Sequence, residues 1–326
     1  MDVLFVPRLI VELAGYLIAV LPDLAPIILS LATPLALGAL CGVLNERSGV
    51  VNIGIEGIML TAAFTGYLTG FSLHATLGPA PAIAAGVIVA IVTGGLLGLL
   101  HAWLCVTVRA DQIIAGTILN VGAIGLTAYF NRLIITPSGL GGAGVIAPLV
   151  FGLGPIALAT VVLVAALQFL LFRSRWGLRT RAVGEHPKAA DTVGIDVFRQ
   201  RYQNVIAGCA LAGLAGAYLT LESTGSFQNG MTGGRGFIAL AAMIFGRWTP
   251  VGAFGGALLF GAFTALGVIV RVRPAGGELG DLLGAIPSFW YAALPYLVTV
   301  VILAGVVGRA IPPAADGIPY EKEARA

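Results

Sequence analysis

Apolar runs of about 20 residues recur along most of the chain, most of them uncharged and none with more than two charged residues. A run of this length can cross a lipid bilayer as a helix. Charged residues make up only 10% of the sequence, against roughly 25% in soluble proteins. The sequence therefore predicts an all-α polytopic membrane protein with about ten transmembrane helices, eight or nine being the alternative. The ten runs, of which the first is weak and the eighth is short, are Pro7–Leu21, Leu24–Leu44, Val50–Thr69, Pro81–Val108, Gln112–Ile135, Gly152–Phe172, Asn204–Leu221, Phe237–Gly246, Val251–Val270 and Ser288–Gly308.

The long polar insert Arg173–Tyr202 orients these spans. Loops rich in Lys and Arg stay in the cytoplasm, and this one holds Arg173, Arg175, Arg179, Arg181, Lys188, Arg199 and Arg201. Counting outward from it places Arg109, Arg247 and the C-terminal tail inside, and Phe71–Ala80 and Thr136–Phe151 outside. The Arg271–Asp281 loop, with two arginines outside, is a partial exception. An even number of spans places Met1 and Arg8 inside.

We interpret the chain as a single transmembrane domain over residues 1–326. Residues 7–172 would form the first six helices, 173–203 a cytoplasmic loop and 204–308 the last four helices. The cytoplasmic tail, 309–326, contains three prolines and mixed charge, and we expect it to be loosely ordered.

A weak internal repeat relates two breaks between apolar runs. Leu44–Leu60 and Leu221–Leu240 each carry an acidic residue at the end of one span, then a Gly/Asn-rich stretch, then another apolar run. The predicted topology makes the helices at the two breaks run in opposite directions. This pattern is typical of transporters with inverted repeats, whose substrate path lies near such breaks.

Polar residues near the breaks are candidates for the substrate path. Glu56 lies in an apolar span, where a charge is costly and usually functional, and Asn52 lies among glycines that let the backbone unwind. The alternative is a structural network of Glu46, Arg47 and Glu56 at the cytoplasmic helix ends. Asn120 is a further candidate, although an interhelical hydrogen bond explains it better. Glu222 occupies the corresponding place at the second break, where a solvated outer loop is the alternative.

No catalytic constellation is visible in the sequence. There is no phosphate-binding G-x-x-x-x-G-K-[ST] motif, no H-E-x-x-H and no G-x-S-x-G. The sequence therefore lacks the residues for ATP hydrolysis by a phosphate-binding loop, for a zinc protease and for a serine hydrolase with a nucleophile elbow. The three histidines have no metal-ligand spacing. The three cysteines lie in apolar runs, which argues against disulfides. We expect no metal and no cofactor, and a net charge of +3 next to apolar spans gives no sign of nucleic-acid binding.

Within the polar insert, the stretch GEHPKAADTVGIDV at 184–197 predicts one short helix on the cytoplasmic face. Pro187 suits a first helical turn and Gly194 suits a C-terminal stop. Ala189, Ala190 and Val193 would form an apolar ridge for a partner's groove, or else the helix lies at the lipid headgroups. The flanking arginines would anchor the chain at the membrane edge.

Three ordered stretches resemble one known family. GEHPKAADTVGI is similar to the cytoplasmic coupling-helix motif of ABC-importer permeases of the branched-chain amino acid/ribose/nucleoside type. NERSGVVNIGIEGIML resembles the signature of the nucleoside (simple-sugar-like) branch, and FGRWTPVGAFGGALLFG resembles a third stretch of the family. The resemblance covers roughly Leu24 to Val307.

The resemblance implies a multi-pass permease subunit in the bacterial plasma (inner) membrane, forming the path for a nucleoside or similar small polar solute. Its partners would be a cytoplasmic ABC ATPase that binds the ATP, a second permease, identical or homologous, and an extracytoplasmic substrate-binding protein. Alternatives are a permease for a simple sugar or branched-chain amino acid, or an ion-coupled secondary transporter using Glu56. The residues implied in ATPase coupling are Gly184, Glu185, Pro187, Ala189, Ala190 and Gly194.

Overall fold

The computed structural model describes residues 5–136, 144–287, 289–291, 293, 294, 297 and 310–322. Within these residues there are helices and no β-strand, which confirms the all-α class. Three of the helices continue as π-helical turns, at Trp103–Thr107, Asn131–Ile135 and Tyr218–Thr224. The α-helices of this part of the chain are α1 (Phe5–Glu46), α2 (Ile55–Leu77), α3 (Pro79–Ala102), α4 (Gln112–Phe130), α5 (Pro155–Arg173), α6 (Arg175–Glu185), α7 (Pro187–Thr192), α8 (Val197–Ala217), α9 (Arg235–Phe245), α10 (Pro250–Val272) and α11 (Gly277–Ala285).

In the described ranges, six helices are long and apolar enough to cross a membrane: α1, α3, α4, α5, α8 and α10, with their π-helical extensions. Two further predicted spans are helices outside this set. They are α2, which carries Glu56 in its first turn, and α9, which has 11 residues. The predicted span Ser288–Gly308 falls mostly outside the described residues. The chain is thus a multi-pass membrane protein, and the structure does not fix the number of spans at ten.

The N-terminal region differs from the prediction because α1 is one helix of 42 residues. At 1.5 Å per residue it is about 63 Å long, roughly twice the hydrocarbon thickness of a bilayer. The predicted reversal between Leu21 and Leu24 is wrong. Prolines inside a membrane helix kink it without ending it, and the interior of α1 contains Pro22 and two further prolines.

The first turns of α1 lie at the outer end of the molecule, beside the α10–α11 connection. Tyr16 donates a hydrogen bond to the Arg273 carbonyl, and the Leu279 N–H donates to the Glu12 carboxylate. The continuous helix therefore takes Arg8 to this end, which corrects its predicted inside location; Met1 lies outside the described residues.

Other segments predicted to share a side of the membrane do lie together. At the inner end, the Arg47 guanidinium donates to the backbone carbonyls of Arg247 and Trp248, and Arg109 pairs with Glu321. At the outer end, Arg273 pairs with Asp23, and Asn131, at the end of α4, donates to Asn229 in the second break. The tail residues Arg309 and Arg325 are outside the described residues.

Helices α1 and α8 run antiparallel through the centre and relate two inverted halves. Arg201, in the first turns of α8, bonds the Ser48 carbonyl just after α1, whereas Tyr218, just after α8, bonds Ser30 in the middle of α1. The packing of the neighbouring helices is equivalent in the two halves. Helix α3 packs on α8 as α10 packs on α1, and α2 packs on α8 as α9 packs on α1. This matches the predicted inverted architecture, with α1, α2 and α3 corresponding to α8, α9 and α10.

Glycines allow the closest of these helix contacts. A Cβ atom on Gly94 of α3 would lie 2.3 Å from the Cys209 carbonyl oxygen in α8, and one on Gly261 of α10 would lie 2.8 Å from the Ile28 carbonyl oxygen in α1. The same kind of contact therefore occurs at corresponding places in the two halves. Small residues that let backbones approach are the usual means of packing helices in lipid.

The Arg173–Tyr202 insert is folded, in contrast to the predicted loop with one short helix. Two helices, α6 and α7, occupy most of it, and α8 already begins at Val197. The Ser174 hydroxyl accepts from the Gly177 N–H to cap α6, and the Asp196 carboxylate accepts from the Arg199 N–H to cap α8. Such capping contacts are typical of helix starts. Helix α6 was not predicted because its sequence is hydrophilic and contains no apolar run.

The tail is also ordered over residues 310–322, which overturns the expectation of a loose segment. Ala315 and Tyr320 are each only 5% exposed. Apolar burial compensates for the entropy of ordering a chain, and the docking surface for the tail is assembled from helices distant in sequence.

Candidate functional site

The coupling segment suggested by the sequence lies at the inner end, on α6 and α7. Helix α7 begins at Pro187, where a missing N–H costs nothing. Its end is followed by Gly194 with φ +85°, a backbone conformation that favours glycine. Both features agree with the predicted start and stop.

The six candidate coupling residues divide between two faces. Glu185, Ala189 and Gly194 are exposed and Pro187 is half-buried, whereas Gly184 and Ala190 are buried. A Cβ atom on Gly184 would lie 2.2 Å from the Arg47 carbonyl oxygen, so α6 can approach the end of α1 only with glycine there.

The prediction of an exposed apolar ridge on α7 is therefore wrong for Ala190. Val193 is 76% exposed and Ala189 is exposed, but Ala190 is 4% exposed and packs with Val183, Val197 and Tyr320. Its inward direction depends on α6 and the docked tail, neither of which the sequence predicted.

The membrane break between α1 and α2 is held by buried amides. The Asn52 Oδ1 atom accepts from the Gly54 N–H at 2.9 Å, and its Nδ2 atom donates to the Cys209 sulfur at 3.3 Å. Asn120 of α4 accepts from the Gly57 N–H at 2.7 Å and donates to the Ile53 carbonyl at 2.9 Å. The prediction that Asn120 makes an interhelical hydrogen bond is confirmed.

Glu56 joins the two breaks. Its carboxylate accepts hydrogen bonds from the backbone N–H groups of Gly234, at 2.7 Å, and Gly236, at 2.5 Å. These groups lie at the start of α9, whose first N–H groups have no partner within the helix and whose dipole favours a negative charge. Helix α2 follows the break at the inner side and α9 follows the break at the outer side. The two helices therefore enter the bundle from opposite sides, and their first turns meet inside it.

Glu222 makes a similar contact at the outer end. Its carboxylate accepts from the N–H groups of Ile156, at 2.7 Å, and Ala157, at 3.0 Å, in the first turn of α5. It is thus remote from the break that Asn52, Glu56 and Asn120 hold together. Glu56 and Glu222 both accept hydrogen bonds from unpaired backbone N–H groups at the start of a helix, which is a structural role for each carboxylate.

The alternative network of Glu46, Arg47 and Glu56 divides into two. The Trp248 indole N–H donates to Glu46 at 2.6 Å, and Arg47 donates to the Trp248 carbonyl at 2.7 Å, whereas Glu56 bonds the start of α9. The expectation of one network is therefore wrong, because the break between α1 and α2 separates its members.

A partly open cavity of about 210 Å³ lies beside Glu222. Its polar lining comes from Ser30, Tyr218, Glu222 and Ser223, and the Ser30 hydroxyl and Tyr218 hydroxyl oxygens are 2.6 Å apart. A larger groove of about 690 Å³, next to α3 and α5, has only apolar side chains and backbone around it. Hydroxyl and carboxylate groups suit a polar solute, so the smaller cavity is the better candidate for the outer part of a path.

Sequence analysis missed Arg201, which it treated as a membrane-edge anchor. Its side chain is completely buried and donates to the carbonyls of Ser48, at 3.1 Å, and Ile318, at 3.0 Å. An available signal was Gln200 and Asn204 on the same helix: a polar cluster where an apolar run begins indicates burial against polar partners.

No group of three His, Cys, Asp or Glu side chains that could hold a metal occurs among the residues with described positions. Cys41, Cys105 and Cys209 are buried free thiols.

The family model for the branched-chain amino acid transport system permease component matches residues 26–307. The chain is 37% identical to the guanosine ABC transporter permease protein NupQ of Bacillus subtilis, over 95% of this chain and 99% of that protein. It is 37% identical to the nucleoside ABC transporter permease protein NupC of Lactococcus lactis, over 89% and 94%. It is 34% identical to the putative glucose ABC transporter permease protein TsgC13 of Haloferax volcanii, over 85% and 89%. No solved structure gives a significant match.

Proposed function

The chain belongs to the family of branched-chain amino acid transport system permease components, and we propose that it imports nucleosides or similar small polar solutes with energy from ATP. It is an ABC transporter permease subunit, a transport component and not an enzyme. The nucleoside assignment depends on one observation above all: identity of 37% over nearly the whole length to relatives named for guanosine and nucleosides. The glucose-named relative, at 34%, makes a simple sugar the second candidate.

An ion-coupled transporter that works through Glu56 is less well supported. A coupling carboxylate has to gain and lose its ion, whereas this one already accepts two backbone hydrogen bonds at the start of α9. Removing its charge would leave buried donors poorly paired.

We assign ATPase coupling to α7 and the end of α6. Glu185, Pro187, Ala189 and Gly194 provide the accessible side, and Gly184 and Ala190 hold the segment to the rest of the permease. A separate cytoplasmic ATPase would bind the ATP and displace this segment. The helices would then rock between outward- and inward-open arrangements, as in other carriers built from inverted repeats.

We assign the outer part of the path to the cavity beside Glu222. A binding protein outside would release the solute there, where the hydroxyls of Ser30 and Tyr218 and the carboxylate can bond a ribose or another polyol. Asn52, Glu56 and Asn120 would shape the path further in by fixing the break. A second permease, identical or homologous, would complete the path.

Transport by the whole assembly tests the function. The permease is reconstituted in vesicles with its ATPase, the binding protein and any second permease, and uptake of radiolabelled guanosine, glucose and leucine is compared with and without ATP. ATP-dependent uptake of guanosine with little uptake of the others is expected. Uptake of only glucose or leucine would overturn the substrate assignment, and ATP-independent uptake would overturn the mechanism.

The coupling assignment has its own test in Ala189→Glu. The position is exposed, so the change should leave the permease folded while weakening capture of the ATPase and ATP-dependent uptake. Ala75→Glu, at an exposed position near the outer end of α2, is the matched control. Equal capture by both variants would remove α7 from the docking site.

A further inference from the structure

The C-terminal segment 310–322 lies across the inner end and is joined first to α6. The Ala315 N–H donates to the Gly184 carbonyl at 2.8 Å. The adjacent Ala314 N–H donates to the Glu185 carboxylate at 3.1 Å. The end of the chain therefore bonds the two residues that immediately precede the α6–α7 turn.

A second connection runs through Arg201 of α8. One guanidinium nitrogen donates to the Ile318 carbonyl in the tail and another to the Ser48 carbonyl after α1. The side chain is fully buried, so neither bond competes with bulk water. A single arginine thus joins the tail, α8 and the end of α1, and α1 and α8 are corresponding helices of the two inverted halves.

A third connection is apolar and involves α7. The Tyr320 ring packs edge-on against Phe198 of α8, with 5.5 Å between ring centroids. It belongs to one buried cluster with Ala190 of α7, Val183 of α6 and Val197 of α8. Ala190 is the one buried side chain among the six residues of α7, so the tail supplies part of what holds this short helix in place.

The tail leaves the accessible side of α7 uncovered. Ala189 and Val193 stay exposed with residues 310–322 docked. The outermost contacts of the tail are two ion pairs at the surface, Arg109–Glu321, which is exposed, and Lys322–Asp191, in which the aspartate is half-buried. Surface ion pairs contribute little. The segment therefore supports α7 from behind and does not mask the surface assigned to the ATPase.

We propose that residues 310–322 are a brace that fixes α6 and α7 to α1 and α8, so that a displacement of α7 moves one helix of each inverted half at once. The proposal rests on the proposed function, because the displacement comes from an ATPase at α7. Packed elements move as rigid bodies only where their contacts are continuous. The brace adds its bonds to the direct contact between Gly184 of α6 and the Arg47 carbonyl after α1. Its residues have a positioning role and do not contact the solute.

The test measures uptake and ATP hydrolysis together in reconstituted vesicles. The variants are deletion of residues 311–326 and the milder Tyr320→Ala. Ile311→Ala is the control, since that side chain is 76% exposed in the same segment. We expect assembly and ATP hydrolysis to persist in both variants, with solute imported per ATP reduced about fivefold or more, and the control to match wild type.

Three results would overturn the proposal that the tail is a brace. The first is an unchanged ratio of uptake to hydrolysis. The second is a parallel loss of uptake, hydrolysis and assembled complex, which indicates structural support alone. The third is faster uptake after truncation, which indicates an inhibitory tail. Absence of ATP-dependent uptake by wild type contradicts the proposed function itself, so the two failures are distinguishable.

Discussion

The Glu56 carboxylate accepts a 2.7 Å hydrogen bond from the N–H group of Gly234, 178 residues further along the chain. The first residues of α2 thereby hold the start of α9, and the two membrane breaks become one structural unit. A side chain that looks like a transport carboxylate in the sequence is, in the structure, a helix-capping group shared between the two halves.

Replacing Glu56 should accordingly affect stability first. Glu56→Gln keeps an acceptor but loses the charge at the α9 start, and Glu56→Ala leaves buried N–H donors unpaired, so we expect losses of about 1 and about 3 kcal/mol. Melting of the purified permease in detergent measures both. Glu321→Gln, at an exposed site, should melt like wild type. Wild-type melting of Glu56→Gln together with a raised KM for uptake would show instead that the carboxylate contacts the solute.

Two glycine substitutions should separate close helix packing from general effects of adding a methyl group. A Cβ atom on Gly94 would lie 2.3 Å from the Cys209 carbonyl oxygen, whereas one on Gly122 has no atom within 4 Å. Gly94→Ala should destabilise by about 1–3 kcal/mol through α3–α8 separation. Gly122→Ala should be neutral or slightly stabilising because it reduces the freedom of the unfolded chain. Equal melting temperatures would contradict the close packing of α3 on α8.

Docking of the tail should weaken as pH rises towards neutrality. Burial raises the pKa of Asp316 to about 7, and a hydrogen bond from Glu46, the Gly317 N–H and the charge of Arg201 only partly offset it. The docked state therefore binds the proton more tightly than the released state. Protonated Asp316 therefore stabilises the docked tail fully at pH values below its ordinary pKa of 3.8. This stabilisation is lost as pH rises through about 7.

Hydrogen exchange in residues 311–322, corrected for the intrinsic effect of pH, measures this. Protection should be greater at pH 6 than at pH 8 in wild type, and the difference should be smaller in Asp316→Asn, which removes one carboxyl of the hydrogen-bonded Glu46–Asp316 pair. The same pH dependence in both proteins would assign it to another group.

Arg201 should be intolerant of even conservative change. Lysine presents one ammonium in place of a planar fork, so Arg201→Lys cannot reach both the Ser48 and Ile318 carbonyls in the same way. We expect a loss of about 2 kcal/mol or more and faster proteolysis of the tail. Arg199→Lys, on the exposed side of the same helix turn, is the control. Unchanged proteolysis in Arg201→Lys would show that the tail docks without this arginine.

Local sequence signals predicted those features that depend on neighbouring residues. The apolar run Gln112–Ile135, in which Arg132 is the one charged residue, coincides with α4 and its π-helical turn, because length and apolarity alone decide a span. Pro187 and Gly194 bounded α7 because helix ends have their own residue preferences.

The features that escaped prediction depend on distant partners. The partner of Arg201 in the tail is 117 residues away, and that of Glu56 is 178 residues away; no local pattern specifies either. Helix α6 escaped because its hydrophilic sequence contains no apolar run, and the continuity of α1 escaped because proline more often ends a helix than kinks it.

The docking of residues 310–322 on α6, α7 and α8 has a consequence for building chimeras between related permeases. A graft of residues 173–203 alone would transfer the surface that we propose for ATPase docking but would leave the tail that supports it in the donor. The exchangeable module is discontinuous, and a functional swap has to carry both the insert and the chain terminus that seats against it.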